Sequence, residues 1–270
     1  MKSLRFPVIV PVSIALLTLL SLRYLRTVSA EPRSISDATQ RTPVLIELFT
    51  SEGCSDCPPA DALLEKLDRS QPLRNVELIV LSEHVDYWDD IGWKDPYSSH
   101  EFSLRQGDYA HRFRLDGVYT PQMVVDGDVE LVGSDERRAI QASQNAAKAE
   151  KVPVALSSIH LEGNTLAVHV ESGPLTSSAS PKSANVLLVL ADDSDQSNVR
   201  RGENAGRILK HVAVVRKLIQ VGTIDRDGTF SRDVKVSTAT ANLRNLRIVA
   251  IVQEMAAGSI LGVGSARLSN

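Results

Sequence analysis

The sequence predicts an α/β domain followed by an all-β, sandwich-like domain. Three observations carry that expectation. Over residues 43–151, short apolar runs alternate with stretches in which apolar residues recur at helical spacing. After Pro153 the helical spacing stops, and about seven runs of alternating or apolar character follow, separated by Gly, Asn, Asp and Ser clusters. The 270-residue length suits one large or two modest domains, and 43% hydrophobic residues can fill their cores.

Val44 to Phe49 (VLIELF) is a short run rich in β-formers and reads as a buried strand. It leads into Cys54-Ser55-Asp56-Cys57 and then Pro58-Pro59. The ADALLEKLDRS that follows sets Ala60, Leu63, Leu64 and Leu67 on one helical face. Proline is tolerated in a first turn, where its missing N–H would have had no intrahelical partner. Val76 to Leu81 reads as a second strand, running into a polar, aromatic loop, SEHVDYWDDIGWKDPYSS. Ser98 and Glu101 have capping-box spacing and predict a helix to about Phe113. Gln122 to Val125 and Val129 to Val132 are expected to pair through an Asp126-Gly127 turn. The acid-rich Ser134-Asp135-Glu136 opens another helix, expected to reach about Lys151. The order β-α-β-α-β-β-α is the thioredoxin-like arrangement, with one helical segment inserted before Thr120-Pro121. Beyond it, Leu161-Glu162-Gly163-Asn164 and Ala257-Gly258 read as hairpin turns, and residues 174–183 as a flexible loop.

The first thirty residues have the pattern of a targeting segment. Lys2 and Arg5 precede an apolar run from Phe6 to Leu22, and Val28-Ser29-Ala30 offers small residues for cleavage. A cleaved signal peptide and an uncleaved anchor over residues 6–22 both fit, since the run is near the shortest length that spans a bilayer. Either reading places the remainder outside the cytoplasm, periplasmic or secreted, with membrane contact only through that segment if it is retained. Residues 31–42 are polar and read as a linker. The expected organisation is therefore 1–30 signal or anchor, 31–42 linker, 43–151 α/β domain and 152–270 β domain. Without residues 1–30 the chain keeps 26 basic and 33 acidic residues, a net charge of −7. That balance, with no clustered Lys and Arg, argues against nucleic acid as a partner.

The chain has two cysteines, Cys54 and Cys57. A disulfide closing so short a loop stabilises little, so stapling is a poor reason for the pair. Redox exchange, metal binding and a local disulfide stay open. A structural zinc needs about four ligands, and there is no second CxxC. Cys54, Cys57 and His84 are the weaker metal alternative, suited to a soft ion such as Cu(I). No cofactor is implied. A helix N-terminus behind the pair would favour a thiolate at Cys54.

The stretches LIELFTSEGCSDCPPAD, HVDYWDDIGWKDPYS, YTPQMVVDG, RGENAGRILKHVAVVR and IVQE followed by LG occur in that order. Together they resemble a bacterial family of exported thioredoxin-like proteins, domain of unknown function 1223, over about residues 42–268. The resemblance implies that Cys54 is the exposed nucleophile, Cys57 the buried resolving thiol, and Pro121 a cis-proline facing them. The family has no settled activity; the expectation of thiol–disulfide exchange with protein or small-molecule thiols and disulfides rests on the exported CxxC pair, with soft-metal binding or a non-catalytic thioredoxin-fold binding module as the alternatives. The sequence departs from ordinary thioredoxins in lacking a tryptophan before Cys54, in the Ser55-Asp56 dipeptide, and in Pro58-Pro59 directly after Cys57.

Other residues have two readings each. His84, at a strand end, suits a proton shuttle or a hydrogen-bonded structural role. Asp86, Asp89 and Asp90 suit a hard cation or simple solvation. Trp88 and Trp93 either cover the cysteines, form a docking surface, or pack a long loop. Glu52 is either a proton acceptor for a buried thiol or a surface acid. The Arg201-Gly202-Glu203-Asn204 loop follows no phosphate-loop pattern, so nucleotide binding is not expected.

Overall fold

A computed structural model describes residues 41–175, 181–238 and 245–268. The expected signal or anchor, nearly all of the 31–42 linker, and residues 176–180 of the 174–183 loop lie outside them. No helix among the described residues is long and apolar enough to cross a membrane.

The first half follows the predicted order closely. β1 (Thr42–Thr50) runs parallel to β2 (Val76–His84), and β1 also pairs antiparallel with β3 (Gln122–Val125), which turns into β4 (Val129–Val132). Helix α1 (Pro58–Ser70) starts directly at Pro58 despite the double proline. Helix α2 (His100–Phe113) is capped by Ser99, whose side chain accepts from the Glu101 N–H. The predicted cap, Ser98, donates its hydroxyl to Asp89 Oδ2 at 2.8 Å instead. Helix α3 (Glu136–Ala146) stops short of Lys151. Lys151 is drawn out of the helix because its Nζ binds the Asp126 carboxylate and the Ile260 carbonyl, and the next residue, Val152, donates to Leu261 O. On β1, Val44, Ile46 and Leu48 pack against α1 and α3, while Leu45 and Phe49 lie on the α2 side.

The second half supplies β5 (Val154–Glu162), β6 (Thr165–Ser172), β7 (Ser183–Asn198), β8 (Ile208–Asp225), β9 (Phe230–Ser237), β10 (Leu246–Glu254) and β11 (Ile260–Leu268). Here the expected architecture is overturned. The chain is not an α/β thioredoxin-like domain followed by a separate β-sandwich. Strand makes up 48% and helix 18% of the described residues. Strands from both halves form one mixed eight-stranded sheet, ordered β11-β10-β7-β8-β2-β1-β3-β4, with β5-β6-β9 as a smaller second sheet. The join is a parallel contact between β2 and β8 at Ser82 and Val214. One apolar cluster confirms it, combining Leu45, Ile79 and Leu81 of β1 and β2 with Val189, Val249 and Ile251 of β7 and β10.

The physical reason is visible in β10, which is buried along all but its last residue. A strand covered on one face alternates, whereas a strand covered on both is continuously apolar. β7 and β10 (VLLVLA, RIVAIV) are of the second kind. Their alternate residues pack against the small sheet on one side and the shared cluster on the other.

Candidate functional site

The site is built where β1 ends and α1 begins. Cys54 and Cys57 are joined as a disulfide, with their Cα atoms 5.4 Å apart. Cys57 is the N-cap residue of α1, so both sulfurs sit at the positive end of that helix. Burial differs from expectation. Cys54, expected to be exposed, is 1% accessible and Cys57 is 0% accessible. Only Ser55 and Asp56, between them, reach solvent.

Two loops cover the turn. The first runs from β2 to α2. Its Trp88 approaches Gly53 so closely that a Cβ at Gly53 would lie 3.0 Å from the Trp88 Cβ, and this is why glycine stands there. Trp88 Nε1 donates to Thr120 Oγ1 at 2.8 Å, and Trp93 Nε1 donates to Glu52 Oε2 at 2.8 Å. Both tryptophans therefore pack the loop over the cysteine turn. The acids in this loop are tied up locally: Asp86 accepts from Ser103 and lies near His100, and Asp89 accepts from the Asp95 N–H and Ser98. Asp90 is exposed. Among the described residues no three His, Cys, Asp or Glu side chains form a group suited to a metal ion.

The second loop, residues 199–207, is the tip of the long β7–β8 hairpin. The buried Asn204 donates from Nδ2 to two carbonyls at once, Glu52 O at 2.9 Å and Cys54 O at 2.8 Å. Glu203 Oε2 accepts from the Ser55 N–H at 3.0 Å.

Beneath the turn lies a buried polar network. The Glu52 carboxylate is fully buried and receives Trp93 Nε1, the Ser197 hydroxyl and His211 Nε2, the last at 3.2 Å. His211 Nδ1 lies 3.8 Å from Asp61 Oδ2, and Asp61 also accepts from Thr50 Oγ1 at 2.9 Å. Asp61 stands one helical turn after Cys57, on the same face of α1. Burial raises its pKa above the ordinary carboxylate value, against the opposing pull of His211 and His84. His84 Nδ1 lies 2.7 Å from Asp95 Oδ2, and the His84 and His211 rings meet edge to face with centroids 4.7 Å apart. Burial alone would lower the His84 pKa, but the charge and hydrogen bond of Asp95, with Asp61 and Glu52 behind, outweigh it and raise it. Asp95 is correspondingly lowered: burial works against this, and His84 and the backbone N–H groups of Glu52 and Tyr97 overcome it.

Of the residues singled out in the sequence, Cys54, Cys57, Glu52 and His84 thus fall in one place. The Thr120–Pro121 bond is cis. Pro121 approaches α1 at Gly133, where an added Cβ would meet both the Pro121 Cβ at 3.0 Å and the Ala60 Cβ at 3.1 Å. Asp61, Asp95, Tyr97, Ser197 and His211 were not singled out, and Asn204 was noted only as part of the Arg201-Gly202-Glu203-Asn204 loop. A histidine inside an apolar run, LKHVAVV, was the available signal for His211. The RGEN loop marked Asn204 but not its partner, because its role depends on where a distant hairpin ends.

Residues 45–253 match a family model described as "Protein of unknown function (DUF1223)". The chain belongs to the DUF1223 family. A crystal structure of an Agrobacterium tumefaciens protein is similar at 26% identity, over 86% of this chain and 96% of that one, with a TM-score of 0.65. HBP35 of Porphyromonas gingivalis is 15% identical over 85% of this chain and 76% of its own, with a TM-score of 0.60, a likeness of fold alone. No curated protein matches. This DUF1223 chain thus carries a buried CxxC disulfide backed by two histidines and three carboxylates.

Proposed function

We propose that this DUF1223 protein is an exported thiol–disulfide exchange protein acting on protein or small-molecule thiols through Cys54 and Cys57. The observation that carries the reading is the setting of the pair. The chain's two cysteines close a minimal loop at a helix N-terminus, with the buried, titratable Asp61 one turn away. Such a loop adds little stability, whereas the helix dipole lowers the cost of a thiolate when the bond opens. In the forward step, a client thiolate attacks Cys54 Sγ, the internal S–S bond breaks, and Cys57 leaves as the thiolate. A second client thiolate then attacks the client sulfur of the mixed disulfide and Cys54 leaves as the thiolate, so the client is oxidised and the pair reduced. In the opposite direction the Cys54 thiolate attacks a client disulfide, and Cys57 closes the internal bond and releases the reduced client.

An extracytoplasmic location is part of the proposal, since a persistent disulfide suits an oxidising compartment and the N-terminal pattern suits export. Cys57→Ser removes the resolving thiol. With Cys54 reduced, this variant is expected to accumulate mixed disulfides with client proteins, visible as reductant-sensitive bands on non-reducing gels. The double variant lacking both thiols is expected to give none. Absence of adducts with the single variant would count against exchange with protein clients.

A further inference from the structure

Disulfide exchange requires the attacking sulfur to approach along the S–S axis, so access is a condition of rate. In this structure neither cysteine offers it, with Cys54 at 1% and Cys57 at 0% accessible. We propose that the β7–β8 hairpin tip, residues 199–207, is a latch over the disulfide, and that Asn204 must leave the Cys54 turn before the bond reacts. The proposal rests on the exchange reading for its purpose, though its test does not.

Four observations carry it. The latch arrives from far along the chain, about 150 residues after the cysteines, and holds the turn by its backbone alone. Asn204 bridges the carbonyls of Glu52 and Cys54, and Glu203 holds the Ser55 N–H. The latch residue is itself set by the loop: Arg207 donates from Nη1 to Asn204 Oδ1 at 3.0 Å. The tip is shaped to fit against the other covering loop. Gly202 has φ +76°, and an added Cβ there would lie 3.1 Å from the Trp93 Cβ. Finally, the latch can move without unfolding the sheet. Around Asn204 the tip residues 200–203 and 205–208 are exposed, and the buried Val199, which bonds through its backbone to Arg207 and Gly206, anchors the base of the tip next to the Asn198–Ile208 pair. Loops with exposed backbone and few buried apolar contacts open at low free energy.

Opening would expose Cys54 Sγ while leaving Asp61, Thr50 and the α1 N-terminus in place. A cavity of about 210 Å³, lined by Pro58, Asp61, Ala62, Glu65, Ile208 and Lys210 among others, lies between α1 and the start of β8, at the base of the latch.

The test uses the oxidised full-length protein and dithiothreitol. One dithiothreitol thiolate attacks Cys54 Sγ, the electron pair of the S–S bond leaves on Cys57, and that thiolate takes a proton from water. The second dithiothreitol thiol then closes its ring and releases Cys54, so the reductant is oxidised and the protein reduced. The second-order rate of thiol release is expected to rise about tenfold or more in Asn204→Ala, which loses both bridging hydrogen bonds. A core variant remote from the latch, Val170→Ala, is expected to leave the rate unchanged. Equal rates in the wild type and Asn204→Ala would overturn the latch. Should Asn204→Ala not fold, the wild type still decides the matter. Its native disulfide is expected to be reduced at least about 100-fold more slowly than the same bond in the urea-unfolded chain, and equal rates would overturn the proposal. A latch that fails this test leaves exchange with clients standing, and a latch that passes does not establish a client.

Discussion

Replacing Glu52 with alanine is expected to destabilise the protein by about 3–5 kcal/mol, the range for breaking a buried charged network by removing one partner. The Glu52 carboxylate is fully buried and accepts from Trp93, Ser197 and His211, which come from three separate segments. Without it, the buried His211 and the half-buried Trp93 and Ser197 lose their acceptor together, and a buried orphan costs about 1–3 kcal/mol. The effect extends beyond stability, because Trp93 belongs to one loop covering the disulfide and Ser197 and His211 flank the other. Urea unfolding with the disulfide intact measures the loss, and Glu52→Gln, which keeps one acceptor oxygen, is expected to lose less. A change below about 1 kcal/mol for Glu52→Ala would mean that the network is not a keystone of the site.

A comparable loss is expected on the other face of the sheet. Arg105 of α2 is held by Glu47 of β1 through Nε at 2.7 Å, by Gln253 of β10 at 3.1 Å, and more loosely by Glu83 of β2 at 3.6 Å. Tyr109 donates to the second Glu47 oxygen at 2.6 Å. Glu47 and Glu83 are both fully buried, so Arg105→Met leaves two acids without their cation and is expected to destabilise by about 3–5 kcal/mol. Adding Glu47→Gln and Glu83→Gln to that variant is expected to restore much of the loss, and double-mutant cycles of Arg105 with each acid measure the two couplings. Burial and then the Glu47 charge push the Glu83 pKa well up, against the pull of Arg105. The sign follows. A raised carboxyl binds more protons folded than unfolded, so its contribution is full below about pH 4.5 and lost as pH rises through the folded value. Glu83→Gln should therefore flatten the stability profile above pH 4.5 and raise stability at neutral pH. If the profile of Glu83→Gln matches that of the wild type, Glu83 is not the group responsible.

These two networks mark what the sequence makes legible. Local signals were strong at the CxxC junction: an apolar run, a minimal cysteine spacing and a helical stripe fixed β1, the disulfide turn and α1. The Asp126-Gly127 and Gly163-Asn164 turns were equally local, each needing only two residues of suitable chemistry. Pairing between distant strands has no such local signature. Ser82 and Val214 meet across 132 positions, and that one contact converts two expected domains into a single sheet. The latch was hidden for a related reason. The polar end of β7, DDSDQSN, looks like a loop, yet it is strand because it pairs with Ile208 to Val214 of β8. That pairing carries Asn204 to the disulfide. Charged residues inside apolar runs were the readable clue to the buried networks. Glu47 in VLIELF, His84 ending VLSEH and His211 in LKHVAVV each sit where alternation or continuous burial demands an apolar side chain, so each must find a buried partner.

The central claim is that Cys54 and Cys57 cycle between dithiol and disulfide. Equilibrating the protein in dithiothreitol or glutathione buffers of defined potential, and trapping free thiols with a mass tag, measures it directly. The account predicts a midpoint at or above about −270 mV, within the range of exchange proteins. A pair that stays fully oxidised below about −300 mV would be a structural bond and would contradict it.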